Sequence, residues 1–403
     1  MTGRWAFNWV QIMGHHYRSL MALFTLMSLG ILAGLFNDLF ILDLQSSLYI
    51  GASLLVMSLW AMKIMDSIKT GGLLFLLSGY VVLMLAGTMA WFEISFDDHS
   101  VLGWVVIIAM MMSNLIHVLS TLLREMARGS FQHDALAEAL KQNAMPILLS
   151  NITTCFGFVV AAFYDASFYT MTWIVVSGAI ISYLTLFSWL PIILLTFFLE
   201  FRVGHYDDRH GLIDLISRIQ QYPRAIKWGV GISFMVMLAS LIYLSQFMTQ
   251  LNSVGVMLLA SFALLLIIWQ DLKITFITLL SSFLSVVIVL AAYFSFQNVL
   301  SISAFVLVVP LGMVLDDAIH YFSRYLKSKR GFFNDDASCH RFALSTVGRP
   351  IWLTTQLLMI GLLILSFHPN DLIQQASFIT IFAVFLASYI ILVLLPVLRL
   401  QRS

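Results

Sequence analysis

The sequence predicts an all-α polytopic membrane protein: twelve transmembrane helices arranged as two pseudosymmetric six-helix repeats. Three observations support this fold class, namely the composition, the number and length of the apolar runs, and polar landmarks that recur in both halves. Of the 403 residues, 61% are hydrophobic and 10% are charged, and the mean hydropathy is +0.95. An ordinary soluble domain carries about 25% charged residues, so the composition excludes that class.

Apolar runs long enough to cross a bilayer, about 20 residues each, occur twelve times. We place them at residues 18–37, 46–63, 71–92, 102–123, 145–164, 170–199, 225–245, 248–269, 274–295, 299–323, 350–367 and 375–398.

The polar connections between these runs have two distinct compositions. One set, together with both termini, contains Lys and Arg, whereas the other set contains neither. Lys and Arg concentrate on the cytoplasmic side of membrane proteins. We therefore expect a multi-pass protein of the cell inner (cytoplasmic) membrane with both termini in the cytoplasm. The connections without Lys or Arg lie at Asn37–Ser46, Ser95–Ser100, Tyr164–Ser167, Gln246–Gln250, Ser295–Asn298 and His368–Asp371.

The two halves share polar landmarks at matching positions. Because each half has six spans, an even number, the halves are expected to share one orientation, as in parallel repeats. We predict a first repeat at residues 1–200, a cytoplasmic linker at 201–224 and a second repeat at 225–403. The matching pairs are Ile116-His117 with Ile319-His320, Ser120 with Ser323, Pro146 with Pro350, Gly157 with Gly361, Ser182-Tyr183 with Ser388-Tyr389, and Pro191 with Pro396.

Two adjacent carboxylates, Asp316 and Asp317, lie midway along the tenth apolar run. A carboxylate at this depth costs on the order of 3 kcal/mol, so the pair is expected to face the interior of the bundle. Asp316 and His320 are four residues apart and share one helix face, whereas Asp317 points about 100° away. Gly312 allows another helix to approach closely, and Pro310 is expected to kink the helix. The pattern favours a proton or cation relay; structural pairing of one aspartate is the alternative.

This helix carries the pattern G-x-x-x-D-D-x-x-H-x-x-x-R-Y, followed by a basic segment, a Pro-Ile entry and a glycine. The combination resembles the resistance–nodulation–division (RND) superfamily, especially its MMPL-like branch. The resemblance implies export of lipids, hydrophobic compounds or drugs, driven by the proton-motive force. It assigns proton coupling to Asp316 and Asp317 and makes Thr354 and Thr355 their candidate hydrogen-bonding neighbours.

Two features depart from the family pattern. Members carry a large extracytoplasmic domain after the first span of each half, but here only short connections occupy those positions. In addition, the fourth span has Ser113 and Asn114 where the tenth has the two aspartates. Asn114 can hydrogen-bond across the pseudo-twofold axis, and His117 is more simply interpreted as a hydrogen-bonded residue of the bundle. The sequence thus predicts a transmembrane core with one titratable site.

We therefore expect a transporter, driven by the proton-motive force, of lipid or other hydrophobic cargo, with Asp316, Asp317 and His320 as the proton relay. Short outer connections cannot enclose a lipid, so a separate extracytoplasmic or membrane-anchored partner protein is expected to dock near Asn37–Ser46 and Gln246–Gln250. The alternative is a lipid-sensing scaffold that does not transport, similar to a sterol-sensing module.

Motifs typical of enzymes do not occur in the sequence. There is no phosphate-cradling glycine loop, no HExxH and no nucleophile elbow. We expect neither enzymatic activity nor a bound cofactor or metal, and nothing in the sequence indicates binding of nucleic acid.

Overall fold

The computed structural model describes residues 4–36, 44–94, 96, 100–196, 211–222, 228, 231–232, 235–236, 238–240, 242, 251–297, 304–331 and 335–400. Within these residues the regular elements are helices, and no strand occurs. Ten of the described helices are long and apolar enough to cross a membrane.

The described residues of the first half form seven α-helices. Proline lies inside two of them, at Pro146 and Pro191, where the missing N–H removes one backbone hydrogen bond. The helices are α1 (Arg4–His15), α2 (Tyr17–Leu32), α3 (Leu44–Ile64), α4 (Ile68–Trp91), α5 (Val101–Ala127), α6 (Gln132–Tyr164) and α7 (Tyr169–Thr196).

The second half contains eight described α-helices and two short π-helical segments, Leu344–Gly348 and Ile390–Leu394. The α-helices are α8 (Gly211–Gln220), α9 (Leu251–Trp269), α10 (Leu272–Gln297), α11 (Ala304–Gly331), α12 (Asp336–Ala343), α13 (Arg349–Leu365), α14 (Asp371–Tyr389) and α15 (Leu395–Leu400).

Most of the predicted spans coincide with these helices. The ten membrane-length helices match ten of the predictions, and the tenth predicted span, 299–323, falls largely on the 28-residue helix α11. The remaining span, 225–245, lies for the most part outside the described residues. The all-α polytopic fold is therefore confirmed.

The chain forms two compact units. Unit 1 comprises Met1–Leu148, Ser167–Gly204 and Gln356–Asn370. Unit 2 comprises Leu149–Ala166, His205–Thr355 and Asp371–Ser403. Each unit thus contains a piece of the other predicted repeat: the end of α6 belongs to unit 2, and the end of α13 belongs to unit 1.

Glycines allow these exchanged segments to pack closely. In unit 2, a Cβ on Gly157 of α6 would lie 3.2 Å from the carbonyl oxygen of Val308 on α11. In unit 1, a Cβ on Gly361 of α13 would lie 2.7 Å from the sulfur of Met57 and 3.4 Å from Val105 Cγ1. The two glycine contacts are counterparts, because Gly157 and Gly361 are matching landmarks of the repeat.

A central helix organises each unit. In unit 1, α5 packs against α3, α4 and α7, and its membrane-length apolar segment is buried throughout. In unit 2, α11 packs against α9, α10, α12 and α14. These two helices are the fourth and tenth predicted spans, so the helix that bears the aspartates lies at the centre of its unit.

Candidate functional site

The carboxylate of Asp317 is buried and is held by two hydroxyl groups from different helices. Thr355 of α13 donates from Oγ1 to Asp317 Oδ2 at 3.0 Å, and Ser388 of α14 donates to the same oxygen. The two hydroxyl oxygens lie 2.7 Å apart. Because all three side chains are buried, water does not compete for these bonds, and α11, α13 and α14 meet at one carboxylate oxygen.

Each of these hydroxyls also has an acceptor on its own helix. Thr355 Oγ1 lies 2.8 Å from the carbonyl oxygen of Ile351, and Ser388 Oγ lies 3.0 Å from that of Val384. A hydroxyl has a single proton to donate. Each hydroxyl can therefore serve either the carboxylate or its own backbone, but not both fully at once.

Asp316 faces a different helix from Asp317. Ser150 of α6 donates its hydroxyl proton to Asp316 Oδ1. His320 Nε2 lies 3.4 Å from the same oxygen; the side chain of His320 is 1% exposed and that of Asp316 is 22% exposed. Adjacent residues on a helix point about 100° apart, which explains why the two acids meet different neighbours, as predicted.

The close approach of α6 to α11 positions Ser150 beside Asp316. A Cβ on Gly157 would lie 3.2 Å from the carbonyl oxygen of Val308, one turn before Gly312. Thr154 Oγ1 lies 3.4 Å from the carbonyl oxygen of Gly312. The prediction that Gly312 permits a close helix contact is therefore confirmed, and α6 is the helix that makes it.

The structure separates the two threonines that were predicted as neighbours of the aspartates. Thr355 contacts Asp317, but Thr354 donates its hydroxyl to the carbonyl oxygen of Ile351 at 2.9 Å. Adjacent residues on a helix point about 100° apart, so Thr354 points away from the side on which Thr355 contacts Asp317. The prediction for Thr354 is corrected accordingly.

The remaining predicted neighbours, Ser113, Asn114 and His117, lie on α5 in unit 1. All three are buried. Thr121 donates to the backbone carbonyl of His117 at 2.9 Å, and Asn143 of α6 donates to the Thr121 hydroxyl at 3.0 Å. This part of α5 is therefore a hydrogen-bonded polar segment without a carboxylate, and the predicted bond from Asn114 across the pseudo-twofold axis stays a prediction.

Sequence reasoning missed two residues of the site, Ser150 and Ser388. Ser388 had been recognised only as a landmark of the repeat, shared with Ser182. A serine inside an apolar run at a repeated position was the available signal. For Ser150 the available signal was a hydroxyl residue four positions after both Pro-Ile prolines: Ser150 follows Pro146, and Thr354 follows Pro350.

Two tyrosines of α11 connect this helix to α12. The hydroxyl of Tyr321 lies 2.8 Å from His340 Nδ1, and Tyr325 donates to Asp336 Oδ1 at 2.7 Å. Asp335 caps α12 by accepting the backbone N–H of Ser338 at 2.8 Å. This bond lowers the pKa of the exposed Asp335 carboxyl below its usual range.

Among the described residues, no group of three or more His, Cys, Asp or Glu side chains could hold a metal ion. The chemistry that the site offers is proton transfer, because it combines two carboxyl groups, an imidazole and hydroxyl groups that can donate or accept.

No protein-family model matches the sequence, and no curated protein matches it. Solved structures do match the fold. SecDF, a translocon-associated membrane protein from Thermus thermophilus, aligns with a TM-score of 0.74 at 12% identity, over 89% of this chain and 62% of that chain. SecDF in its super-membrane-facing form aligns with a TM-score of 0.61 at 11% identity, over the same shares of both chains.

The fold thus defines the class: an all-α, multi-pass membrane protein whose fold is similar to that of SecDF. The chain spans 62% of the length of the two SecDF chains. At 11% and 12% identity, the likeness establishes the fold alone.

Proposed function

We propose that this chain is a membrane transporter driven by the proton-motive force, with Asp317 as the group that binds and releases the coupling proton. One observation carries the proposal: Asp317 is a buried carboxylate on α11, within the predicted tenth span, and it is held by hydroxyl groups from two other helices. An ionisable residue at this depth is costly. A purely structural contact between helices does not need one, since packing and hydroxyl groups can supply it.

Protonation changes what Asp317 offers to its neighbours. The ionised carboxylate only accepts hydrogen bonds, so it attracts the hydroxyl protons of Thr355 and Ser388. The protonated carboxyl carries a donor and no charge, and the two hydroxyls can then return to the carbonyl oxygens of Ile351 and Val384. The attachment of α11 to α13 and α14 therefore differs between the two states, which makes this junction a two-state element that a proton can bias.

Asp316 and His320 complete the proposed relay. Asp316 is more exposed than Asp317 and shares its Oδ1 oxygen between Ser150 and His320. Because Asp316 is less enclosed by protein than Asp317, a water molecule can reach it more readily. We assign Asp316 and His320 to proton exchange and Asp317 to coupling.

The proposed cargo is a lipid or another hydrophobic molecule, which follows from the resemblance to the MMPL-like branch. Such cargo can enter from the bilayer between helices. We further propose location in the inner membrane with both termini in the cytoplasm, no enzymatic activity, and a separate extracytoplasmic or membrane-anchored partner. The proposed docking positions, Asn37–Ser46 and Gln246–Gln250, fall mainly outside the described residues.

A second candidate function follows from the fold comparison. SecDF is a translocon-associated membrane protein, and a chain with the same fold can use the same proton-driven element on a polypeptide emerging from a protein-conducting channel. Cargo chemistry separates the two candidates. Only the first predicts that the purified protein with its partner moves labelled lipid.

The experiment is reconstitution of the full chain in proteoliposomes with an imposed pH gradient. The wild-type protein should give dye-reported proton movement by itself and lipid transfer when its partner is added, and Asp317→Asn should abolish both. Asp371→Asn is the matched control, because Asp371 is an exposed carboxylate at the start of α14. A signal that is identical in wild-type and Asp317→Asn protein would overturn the relay. Lipid binding without any response to the gradient would instead support the lipid-sensing scaffold.

A further inference from the structure

Seven buried hydroxyl side chains lie on two helices of unit 2 that pack against each other, α10 and α14. None of the seven is more than 1% exposed, although the surrounding residues are overwhelmingly apolar. They are Thr275, Thr278, Ser282 and Ser285 on α10, and Ser377, Thr380 and Ser388 on α14.

The hydroxyls of α10 form one narrow stripe. Their spacings of three, four and three residues keep them on one face of the helix. The stripe from Thr275 to Ser285 extends about 15 Å along the axis at 1.5 Å per residue. This buried face lies inside a unit in which α10 packs against both α11 and α14.

The hydroxyls of α14 lie on the face that holds Asp317. Ser388 contacts the Asp317 carboxylate directly. Ser377 and Thr380 precede Ser388 by eleven and eight residues on the same stripe, so they lie about 16 Å and 12 Å from it along the axis.

A pocket lined by residues of several helices shows which residues of those helices lie at the same level along the helix axes. Phe322 of α11, Ile274 and Ile277 of α10, and Leu395 of α15 line this pocket together with Lys273, Lys329, Asp336 and His340. We call this the basic end of unit 2. Asp317 lies five residues from Phe322, away from the basic end, and Ser282 lies five residues from Ile277 in the same direction. Asp317 and Ser282 are therefore at about the same level.

Asp317 thus contacts the hydroxyls of α14 through Ser388, and it lies at about the level of Ser282 among the hydroxyls of α10; we call the two sets of hydroxyls branches. Thr278 and Thr275 continue from the level of Ser282 toward the basic end. Thr380 and Ser377 continue from Ser388 toward the opposite end, because α14 runs toward Leu395 and the basic end. Together the branches cover about 26 Å, close to the hydrocarbon thickness of about 30 Å.

Unit 1 provides an internal comparison. Helices α4 and α10 correspond in the repeat, and Lys69 and Lys273 occupy the same position near their starts. When the two helices are aligned at these lysines, the hydroxyl residues of α10 match Gly71, Leu74, Ser78 and Val81. Counting from the landmark pair Ser182 and Ser388 aligns Ser377 and Thr380 with Met171 and Ile174. The half that has Asn114 in place of Asp317 therefore lacks most of the hydroxyls, so the carboxylates and the hydroxyl branches occur together in one half.

A simpler interpretation is that these hydroxyls only bond to their own helices, as serine and threonine commonly do in membranes. Thr278, Ser282, Ser285 and Thr380 do so. Thr275 and Ser377 do not: within the part of the chain that the structure describes, their fully buried hydroxyl oxygens have no hydrogen-bond partner. These two residues are the outermost hydroxyls of their branches, so each has a hydroxyl available to a water molecule that enters along its branch.

We propose that the two hydroxyl branches are the route by which protons reach and leave Asp317, the α14 branch from the end opposite the basic end and the α10 branch from the basic end. This inference rests on the proposed function and specifies the path of the same proton. Each hydroxyl oxygen accepts a proton from one neighbouring water molecule and releases its own proton to the next. The hydroxyl group is thereby regenerated, and one proton has moved along the branch. The ionisable groups along the path are Asp317, with Asp316, His320 and Arg324 on the same helix, and Lys273, Lys329, Asp336 and His340 at the basic end.

The experiment follows proton uptake on each side of the membrane. The full chain is reconstituted in proteoliposomes of known orientation, a pH step is applied to one side, and a dye on that side reports uptake. The difference in proton uptake between the wild-type protein and Asp317→Asn is the uptake that depends on Asp317. The variants are Ser377→Ala with Thr380→Val for the α14 branch, and Thr275→Val with Thr278→Val for the α10 branch. Ser261→Ala is the control, because Ser261 is a buried serine on α9, outside both branches.

We expect each pair of substitutions to slow this uptake about tenfold from its own side, because removing a buried hydrogen-bonding group raises the barrier for transfer. The Ser261→Ala control should keep the wild-type rate. Wild-type rates from both sides in both branch variants would overturn the route while leaving Asp317 as the coupling group. Equal slowing from both sides by either pair would overturn the division into two branches. Absence of any Asp317-dependent uptake would overturn the proposed function itself. Thermal unfolding of each variant confirms that it is folded.

Discussion

Gly157 and Gly312 face each other across α6 and α11, and a Cβ on Gly157 would lie 3.5 Å from Gly312 Cα. The backbones of the two helices are therefore nearly in contact at this point. Side chains at either position would have to push the helices apart, because the nearest atoms on the opposite side belong to the backbone rather than to a flexible side chain.

We predict that Gly312→Leu lowers the stability of the protein by about 1–3 kcal/mol, the usual cost of overpacking. The measurement is thermal unfolding in detergent. Gly255→Leu on α9 is the matched control, because nothing lies within 4 Å of a Cβ built on Gly255. Equal unfolding temperatures for the two variants would contradict the close contact.

The hydroxyl pair around Asp317 should show energetic coupling. Thr355→Val and Ser388→Ala each remove one hydrogen bond to a buried carboxylate, and hydrogen bonds to charged groups contribute about 1.5–3 kcal/mol. We expect Thr355→Val to destabilise the wild-type protein by about that amount and to have a clearly smaller effect in an Asp317→Asn background. The double-mutant cycle is measured by denaturant or thermal unfolding. Thr354→Val is the neighbouring control, and a cycle with the same coupling for Thr354 would argue against the geometry.

The contact between α11 and α12 should depend on the tyrosine hydroxyls. Tyr325→Phe removes the donor to Asp336 and leaves the ring in place, so we expect faster hydrogen exchange in residues 336–343. Tyr389→Phe serves as the control, since Tyr389 is exposed. Unchanged exchange in Tyr325→Phe would show that the bond at 2.7 Å does not hold α12.

The start of α12 should be sensitive to acid. The N–H of Ser338 lowers the pKa of Asp335 in the folded protein. The stabilisation from this cap is therefore complete above the ordinary pKa of aspartate, and it is lost as the pH falls through the lowered pKa of the folded state. We expect the protection of the Ser338 amide from hydrogen exchange to decrease in that acidic range.

Asp335→Asn is the informative control for this pH effect. Asparagine also caps helices well but does not titrate in this range. The variant should keep its protection at low pH, after correction for intrinsic exchange. The same loss of protection in the wild-type protein and in the Asp335→Asn variant would assign the pH effect to another group.

The sequence identified the acids of the site but only part of their surroundings. Asp316, Asp317 and His320 were predictable because two carboxylates in an apolar run are costly and the helical period fixes their relative directions. Thr355 was predicted together with Thr354, and only the packing of α13 decides which of these adjacent residues faces α11. Ser150 and Ser388 lie 166 and 71 residues from their aspartate partners, and no local pattern encodes such contacts.

The uniformly apolar character of the runs made the helices predictable, but it left the contacts between helices undetermined. An apolar run of sufficient length indicates a membrane span, but uniformly apolar residues do not indicate which neighbour a helix contacts. Gly157, Gly312 and Gly361 were visible as landmarks, and they mark the close contacts. The sequence repeat nevertheless placed α6 wholly in the first half, whereas its final residues belong to unit 2.

That exchange of helix ends has a consequence for biosynthesis. Unit 1 includes Gln356–Asn370, which the ribosome makes only after nearly all of the chain has entered the membrane. Unit 1 therefore stays incomplete while most of unit 2 is being inserted into the membrane. A chain that stops after residue 200 lacks a part of unit 1, so the first repeat on its own cannot form the complete unit.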